Sequence, residues 1–331
     1  MFTRLENPTL LLMLFVLSGC VPWGEDQDKK SATVVEKPVN RLTIALGQTD
    51  GANYAAGHAI CVALKKSGSG LPCKILASNG SQENIAALNT GQVDLAFVRG
   101  DVAYQAWHGQ GPFTKKSENI RVLFSIHHEM LTLLVNSAQQ ILSFKQIVGH
   151  TIHIGSEASS NGRLISDLLN GCQIPQSQFS RQDDADYAKL LTEGTVEGAF
   201  ELLSHPDEQI ETLSKEQPGQ ILPINGRCVE QLVDERFYLD PVTIADGLYS
   251  GQRSAIPTIG VKVWLMARGD LSESAIYEVT KTVFNEVEQF RRSDPAFYQL
   301  SPRKMVTSFA IPFHRGAARY YQEQGWYQES R

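Results

Sequence analysis

Apolar residues in this chain fall either in short unbroken runs or in longer stretches spaced three and four apart, which predicts strands and amphipathic helices in turn. Residues 41–46 read as a strand, 47–53 as a loop and 54–66 as a helix. A strand beginning at 74–76 runs into Ala77-Ser78-Asn79-Gly80-Ser81. Ser81 reads as the N-cap of a helix that lasts to Thr90 and stops at Gly91. Residues 93–98 are the next expected strand, and Arg99-Gly100 leads into a helix carrying Tyr104 and Trp107. Further on, 131–135 and 259–266 read as strands. Residues 271–292 read as one long helix, with Ile276, Val279, Val283, Phe284, Val287 and Phe290 on one side.

Two patterns within this alternation occur twice, in the same order. Thr43-Ile44-Ala45-Leu46-Gly47, running on to Asn53, returns as Thr151-Ile152-His153-Ile154-Gly155, running on to Asn161. Leu88-Asn89-Thr90-Gly91-Gln92-Val93-Asp94-Leu95-Ala96-Phe97 returns as Leu191-Thr192-Glu193-Gly194-Thr195-Val196-Glu197-Gly198-Ala199-Phe200. Each half thus reads as strand, Gly/Ser-rich loop and helix, then a glycine-stopped helix and a buried strand. That order predicts an α/β protein of two lobes on mainly parallel sheets. Chance similarity of common strand–helix units is the alternative. Ligands of such sheets sit at the carboxyl ends of strands, beside the loops that open the helices, so two facing edges would enclose a cleft. Two strands should carry the chain across a hinge and back. Residues 41–131 with 260–331 are then expected to form one lobe, and 132–259 the other.

The start of the chain bears on location. Leu10 to Leu17 is an unbroken apolar run preceded by Arg4 and ending in Leu17-Ser18-Gly19-Cys20. A bilayer span needs about 20 apolar residues, so this run suits the core of a signal peptide instead. The Leu-Ser-Gly-Cys ending resembles a bacterial lipobox, which implies cleavage of residues 1–19 and lipid attachment at Cys20. An ordinary signal peptide followed by an incidental cysteine is the other reading. Residues 20–40 are polar and aperiodic and read as a tether from the lipid. No later segment approaches spanning length, so the body is expected outside the cytoplasm, soluble and anchored at a membrane face.

Cys61, Cys73, Cys172 and Cys228 remain, an even number in a chain expected to be exported. Their spacings match no zinc motif, which favours disulfides Cys61–Cys73 and Cys172–Cys228, each within one lobe, over metal ligation. Buried free thiols are the alternative. The net charge of −6 and scattered basic residues argue against a nucleic-acid partner.

Several segments in fixed order carry a family resemblance. Gly51-Ala52-Asn53-Tyr54, Ser78-Asn79-Gly80-Ser81-Gln82-Glu83-Asn84 and Val93 through Tyr104 resemble the TAXI family, the solute-binding subunits of TRAP (tripartite ATP-independent periplasmic) transporters. The similarity continues through His108-Gly109-Gln110-Gly111-Pro112-Phe113, Tyr249-Ser250-Gly251-Gln252 and Ile311 through Tyr321. Members carry cysteines like Cys61 and Cys73, which supports that pair. The resemblance implies a type II periplasmic-binding-protein fold that closes on a small, usually anionic solute. It also implies delivery to a membrane permease driven by an ion gradient. No cofactor is expected, and a monomer is.

The residues themselves suggest how a solute would be held. The loop 47–53 offers backbone N–H groups at a helix start, and Gly51 allows close approach to the main chain. Asn53, Ser78 and Ser81 add polar groups, while Tyr54 either walls the cleft or packs its helix. The second lobe offers Ser156, Glu157, Ser159, Ser160 and Asn161, again before a helix. Arg99 follows a buried strand where the family commonly has glutamine. It either grips a ligand carboxylate with two donors or braces Asp101 or Glu157. Relatives usually have a proline- and glycine-rich loop where Glu157 stands. An amino acid such as glutamate therefore fits Arg99 plus Glu157 at least as well as a dicarboxylate.

Enzyme signatures are missing: no Gly-x-Ser-x-Gly elbow, His-Glu-x-x-His helix or Walker loop occurs. His127-His128-Glu129 is the only compact cluster of acid–base or metal-binding types, just before an expected strand. His58, His153 and His205 stand alone. The expectation is a binding protein, not an enzyme, with a lipid-anchored ligand sensor for a membrane receptor as the competing reading.

Overall fold

The computed structural model describes residues 36–47, 51–182, 186–216, 219–307 and 310–328. The expected signal peptide, the expected lipid site at Cys20 and most of the expected tether lie outside these residues, as do positions 48–50 of the first loop. In chain order the strands are β1 (Leu42–Ala45), β2 (Cys73–Leu76), β3 (Leu95–Arg99), β4 (Ile120–Asn136), β5 (Ile152–His153), β6 (Gly198–Leu203), β7 (Gly219–Leu222), β8 (Leu239–Ile244) and β9 (Ile256–Arg268). The helices are α1 (Gly51–Ser67), α2 (Ser81–Thr90), α3 (Gly100–His108), α4 (Ser160–Gly171), α5 (Tyr187–Thr192) and α6 (Glu208–Glu216). They continue with α7 (Arg227–Glu235), α8 (Glu273–Asn285), α9 (Val287–Ser293), α10 (Pro302–Met305) and α11 (Arg315–Glu323). Among the described residues no helix is long and apolar enough to cross a membrane.

The strands share one sheet, ordered β2-β1-β3-β9-β4-β6-β5, with β7 added to β4 and β8 to β9. The pairs β1–β2, β1–β3 and β5–β6 are parallel. The other five pairings are antiparallel, so the sheet is mixed and not mainly parallel. The cause is the length of β4 and β9, which run antiparallel to each other from Ile120–Arg268 to Met130–Gly260. Beyond that point β4 takes β6 and β7 as neighbours, and β9 takes β8.

Packing follows the same division. Two buried clusters draw on residues 42–126 and 263–321, with Phe97, Phe124, Trp264 and Tyr321 among their side chains. Two others draw on residues 131–261, around Phe200, Leu133, Leu134 and Tyr187. The protein is therefore a two-lobed α/β structure whose lobes share the long strands β4 and β9.

The repeats are visible in three dimensions. Gly91 and Gly194 both take left-handed backbone, φ 73° and 68°, where their helices stop. After each, a carboxylate reaches the strand beside it. Asp94 accepts the backbone N–H of Thr43 at 3.0 Å, and Glu197 accepts that of Thr151 at 2.7 Å.

Three local expectations change. Ser81 is the first helical residue, with Gly80 in the cap position, and its hydroxyl accepts the backbone N–H of Arg99 at 3.0 Å. The single helix expected over 271–292 is broken at Glu286 into α8 and α9, though Val283, Val287 and Phe290 still face one core. The first helix starts at Gly51, whose φ of +76° glycine accommodates without strain. Cys61–Cys73 and Cys172–Cys228 are both disulfides, with Cα atoms 5.2 and 5.1 Å apart.

Candidate functional site

Three helices begin where the lobes meet: α1 after β1, α2 after β2 and α4 after β5. The starts of α2 and α4 bring Ser81 and Asn161 to Arg99 at the end of β3, and the start of α1 brings Asn53 to His127 on β4. Arg99 is 4% exposed. Its Nε and Nη2 donate to the two carboxylate oxygens of Asp101 at 2.8 and 2.6 Å. Its Nη1 donates to Glu129 at 3.4 Å and to the side-chain oxygen of Asn161. Asn161 in turn donates from Nδ2 to Glu201 at 3.4 Å. A polar chain Asp101–Arg99–Asn161–Glu201 thus joins α3 to β6 across the lobes.

A second bridge runs beside it. His127 on β4 is 7% exposed, between Asn53 Oδ1 at 2.8 Å from Nε2 and the Ser204 hydroxyl at 3.1 Å from Nδ1. Burial pushes its pKa down to about 4, so the ring is neutral at neutral pH. Asn53 Oδ1 can only accept, which assigns the proton to Nε2 and leaves Nδ1 to accept from Ser204. Tyr104 on α3 also packs against Phe237 and Tyr238, ring centroids 4.8 and 5.8 Å away.

The electrostatics of this region favour positive charge. Burial opposes the Arg99 charge, but Asp101 and then Glu129 outweigh it and raise its pKa. Burial likewise raises the pKa of Glu129, with Arg99 pulling the other way. Burial pushes Glu201 up to about 7, against a hydrogen bond from Asn161. Arg99 therefore bonds two carboxyl groups and reaches a third, Glu201, through Asn161, and burial makes the charged forms of Glu129 and Glu201 costly.

Arg99 occupies the braced arrangement with Asp101, and its two-pronged edge is not open to a solute in this conformation. Glu157 does not face Arg99. Its side chain is 75% exposed and pairs with Arg181 at 3.3 Å, because the loop before α4 turns it outward. Ser159 caps α4, accepting from Gly162 N–H at 2.9 Å and donating to the Ser156 carbonyl at 2.8 Å. The Ser156 hydroxyl accepts Ala158 N–H at 3.1 Å, and that of Ser78 accepts Gly80 N–H at 3.3 Å. These three hydroxyls hold their own loops. Ser160 opens α4, and Tyr54 is 38% exposed on α1.

Glu201 is a site residue that sequence reasoning misses, and Glu129 one that it places only in the His127-His128-Glu129 cluster. The repeat held a signal for Glu201: its counterpart in the first lobe is apolar Val98, so a carboxylate there interrupts a buried strand. Among the described residues no group of three His, Cys, Asp or Glu side chains is arranged to hold a metal ion. His128 of the compact cluster instead pairs with Asp240 at 2.8 Å. A cavity of about 570 Å³ lies elsewhere, in the second lobe, lined by Leu134, Ile210, Tyr249, Gln252 and Ile256 among others.

Residues 44–325 match the model of the NMT1-like family. Among solved structures, PhnD1 from Prochlorococcus marinus (MIT 9301), in complex with methylphosphonate, is similar at 15% identity and a TM-score of 0.52. That match covers 87% of this chain and 99% of the other. The periplasmic aliphatic sulphonate binding protein SsuA from Escherichia coli is matched at 12% identity and a TM-score of 0.47, over 79% of this chain and 80% of that one. The likeness to PhnD1 shows the fold.

Proposed function

The chain belongs to the NMT1-like family, and from that premise we propose that it is an extracytoplasmic solute-binding protein of the TAXI type. In this reading it captures a small solute between its lobes and hands it to a TRAP-type permease, held at the membrane by lipid on Cys20. The observation that carries the reading is the meeting of Arg99 and Asn161, which come from different lobes, beside the starts of α2 and α4. Helix starts favour negatively charged groups, whereas Glu129 and Glu201 favour a positive one. A zwitterion such as an amino acid satisfies both, and a dicarboxylate only the first.

Opening and closing would use β4 and β9 as the hinge, with 41–131 and 260–331 moving against 132–259. The exchange of strand neighbours at Met130 and Gly260 supports those bounds. Gly51, Asn53, Ser81, Ser160 and Asn161 would line the cleft, with Tyr54 and Ser78 at its margin.

A thermal-shift screen of L-amino acids and short dicarboxylates tests the reading. A ligand that binds only the folded form stabilises by RT ln(1 + [L]/Kd), about 2.7 kcal/mol at a hundredfold excess over Kd. Recovery of the hit unaltered after long incubation is expected of a carrier. Conversion of the hit would mark an enzyme, and no shift with any member would overturn this solute class.

A further inference from the structure

Arg163 lies in the first turn of α4, next to the Asn161 that joins the two lobes. Its Nη1 donates to the backbone oxygens of Glu157 and Ala158, at 3.2 and 2.6 Å, which fixes the guanidinium against the loop. Its Nε and Nη2 are buried and have no hydrogen-bond partner. Those two atoms make up the parallel donor edge with which arginine grips a carboxylate. Buried donors on a charged group are seldom left unpaired in native proteins, because their lost hydration is not replaced.

Among the described residues no carboxylate fills the edge. Asp101 and Asp167 are close enough to favour the Arg163 charge, and Arg99 close enough to oppose it, yet Nε and Nη2 bond to neither carboxylate. Both oxygens of Asp101 are already taken by Arg99. Glu157 points outward to Arg181. The Ser159 cap binds the N–H of Gly162 and leaves those of Ser160 and Asn161, so the positive end of a twelve-residue helix stands beside the guanidinium.

We propose that the Nε–Nη2 edge of Arg163 receives the carboxylate of the solute, against the start of α4. The proposal rests on the solute-binding reading above and assigns the anion-binding role within it to Arg163, with Arg99 as the brace. The edge is closed to solvent in this conformation. A carboxylate reaches it when the lobes part and is enclosed when they close. Preorganisation comes from the two loop carbonyls that hold Nη1, so little side-chain freedom is lost on binding. A lysine cannot offer the same two parallel donors.

Titration calorimetry of the full-length protein with L-glutamate, L-glutamine and succinate, in wild type, Arg163→Gln and Arg163→Lys, tests this, with each protein also melted without solute. Binding is expected to weaken roughly ten- to a hundredfold in Arg163→Gln, as for loss of a charged hydrogen bond, and to recover only in part in Arg163→Lys. The solute-free Arg163→Gln protein loses the Nη1 bonds to the loop carbonyls together with the two unpaired donors, and is expected to melt close to the wild-type temperature. Undiminished affinity in a folded Arg163→Gln protein overturns the proposal and leaves the solute-binding reading standing. If wild type binds none of the three probes, that reading fails for them, and the melts decide on Arg163. A clearly lower melting temperature in Arg163→Gln then marks a structural arginine and overturns the proposal, whereas an equal or higher one supports it.

Discussion

Arg99 and Asp101, two residues apart, form a two-pronged ion pair at 2.8 and 2.6 Å with both side chains almost wholly buried. The pair spans the junction of β3 and α3, and Asp101 stands in the first turn of α3, where a carboxylate also favours the helix dipole. Arg99 is therefore held by its own lobe before any solute arrives. Its remaining reach, to Glu129 and Asn161, ties that lobe to the hinge strand and to the second lobe.

Arg99→Ala should accordingly lower stability, because it strands a buried carboxylate. Removing one member of a buried pair typically costs about 3–5 kcal/mol, whereas replacing both with apolar groups costs much less. Urea unfolding of Arg99→Ala, Asp101→Ala and the double variant measures the coupling. Additive losses, or an Arg99→Ala protein as stable as wild type, would show that the pair does not brace the fold.

Much of this architecture was readable because it rests on local stereochemistry. Gly91 and Gly194 stop helices in left-handed backbone, and the residues after them repeat with the same spacing, so the two halves declared themselves. The extent of β4 was hidden because His127, His128 and Glu129 break its apolar run. Their partners, Asn53, Ser204, Asp240 and Arg99, come from distant parts of the chain. The direction of Glu157 depended on Arg181 in the same way. Arg163 looked like any polar residue of a helix face. Only the packing shows that its donor edge is buried and unpaired.

Gly162 sets the shape of the loop before α4. A Cβ there would lie 2.0 Å from the Ser156 carbonyl oxygen and 3.0 Å from the Gly155 carbonyl carbon, both main-chain atoms that cannot swing aside. Gly162→Ala should force the loop off α4 and draw Asn161 away from Arg99. Overpacking of this kind costs about 1–3 kcal/mol. Thermal melting checks it, and an unshifted melting temperature would mean the loop yields freely.

The two disulfides should differ in effect. Cys61–Cys73 closes a separation of 12 residues and Cys172–Cys228 one of 56. In the chain-entropy model these are worth about 3 and about 4 kcal/mol. The second also ties the end of α4 to α7, and so supports the helix that carries Asn161 and Arg163. Replacing Cys172 and Cys228 together by serine should lower stability more than replacing Cys61 and Cys73 together. Denaturant unfolding of the two double variants settles the order, and the reverse order would point to native-state strain or residual unfolded structure.

Glu201 gives the protein a distinct pH response. Burial pushes its pKa up to about 7, while in the unfolded chain it releases its proton near the ordinary value of 4.5. Between those two values the folded protein holds a proton that the unfolded chain has lost, so this group makes stability fall as pH rises across the window. His127, His205 and His314, each pushed down to about 4 mainly by burial, act in the opposite sense. Below their ordinary 6.5 the unfolded chain takes up protons that the folded protein refuses, so they make stability fall as pH drops toward 4. The wild-type profile is the sum of these trends, and Glu201→Gln separates them. The stability of the variant minus that of wild type should rise with pH from about 5 to about 7 and level off above about 8. Urea unfolding at a series of pH values measures the difference. A flat difference would mean that Glu201 ionises at an ordinary pH, and the carboxyl facing Asn161 would then carry a full charge at neutral pH.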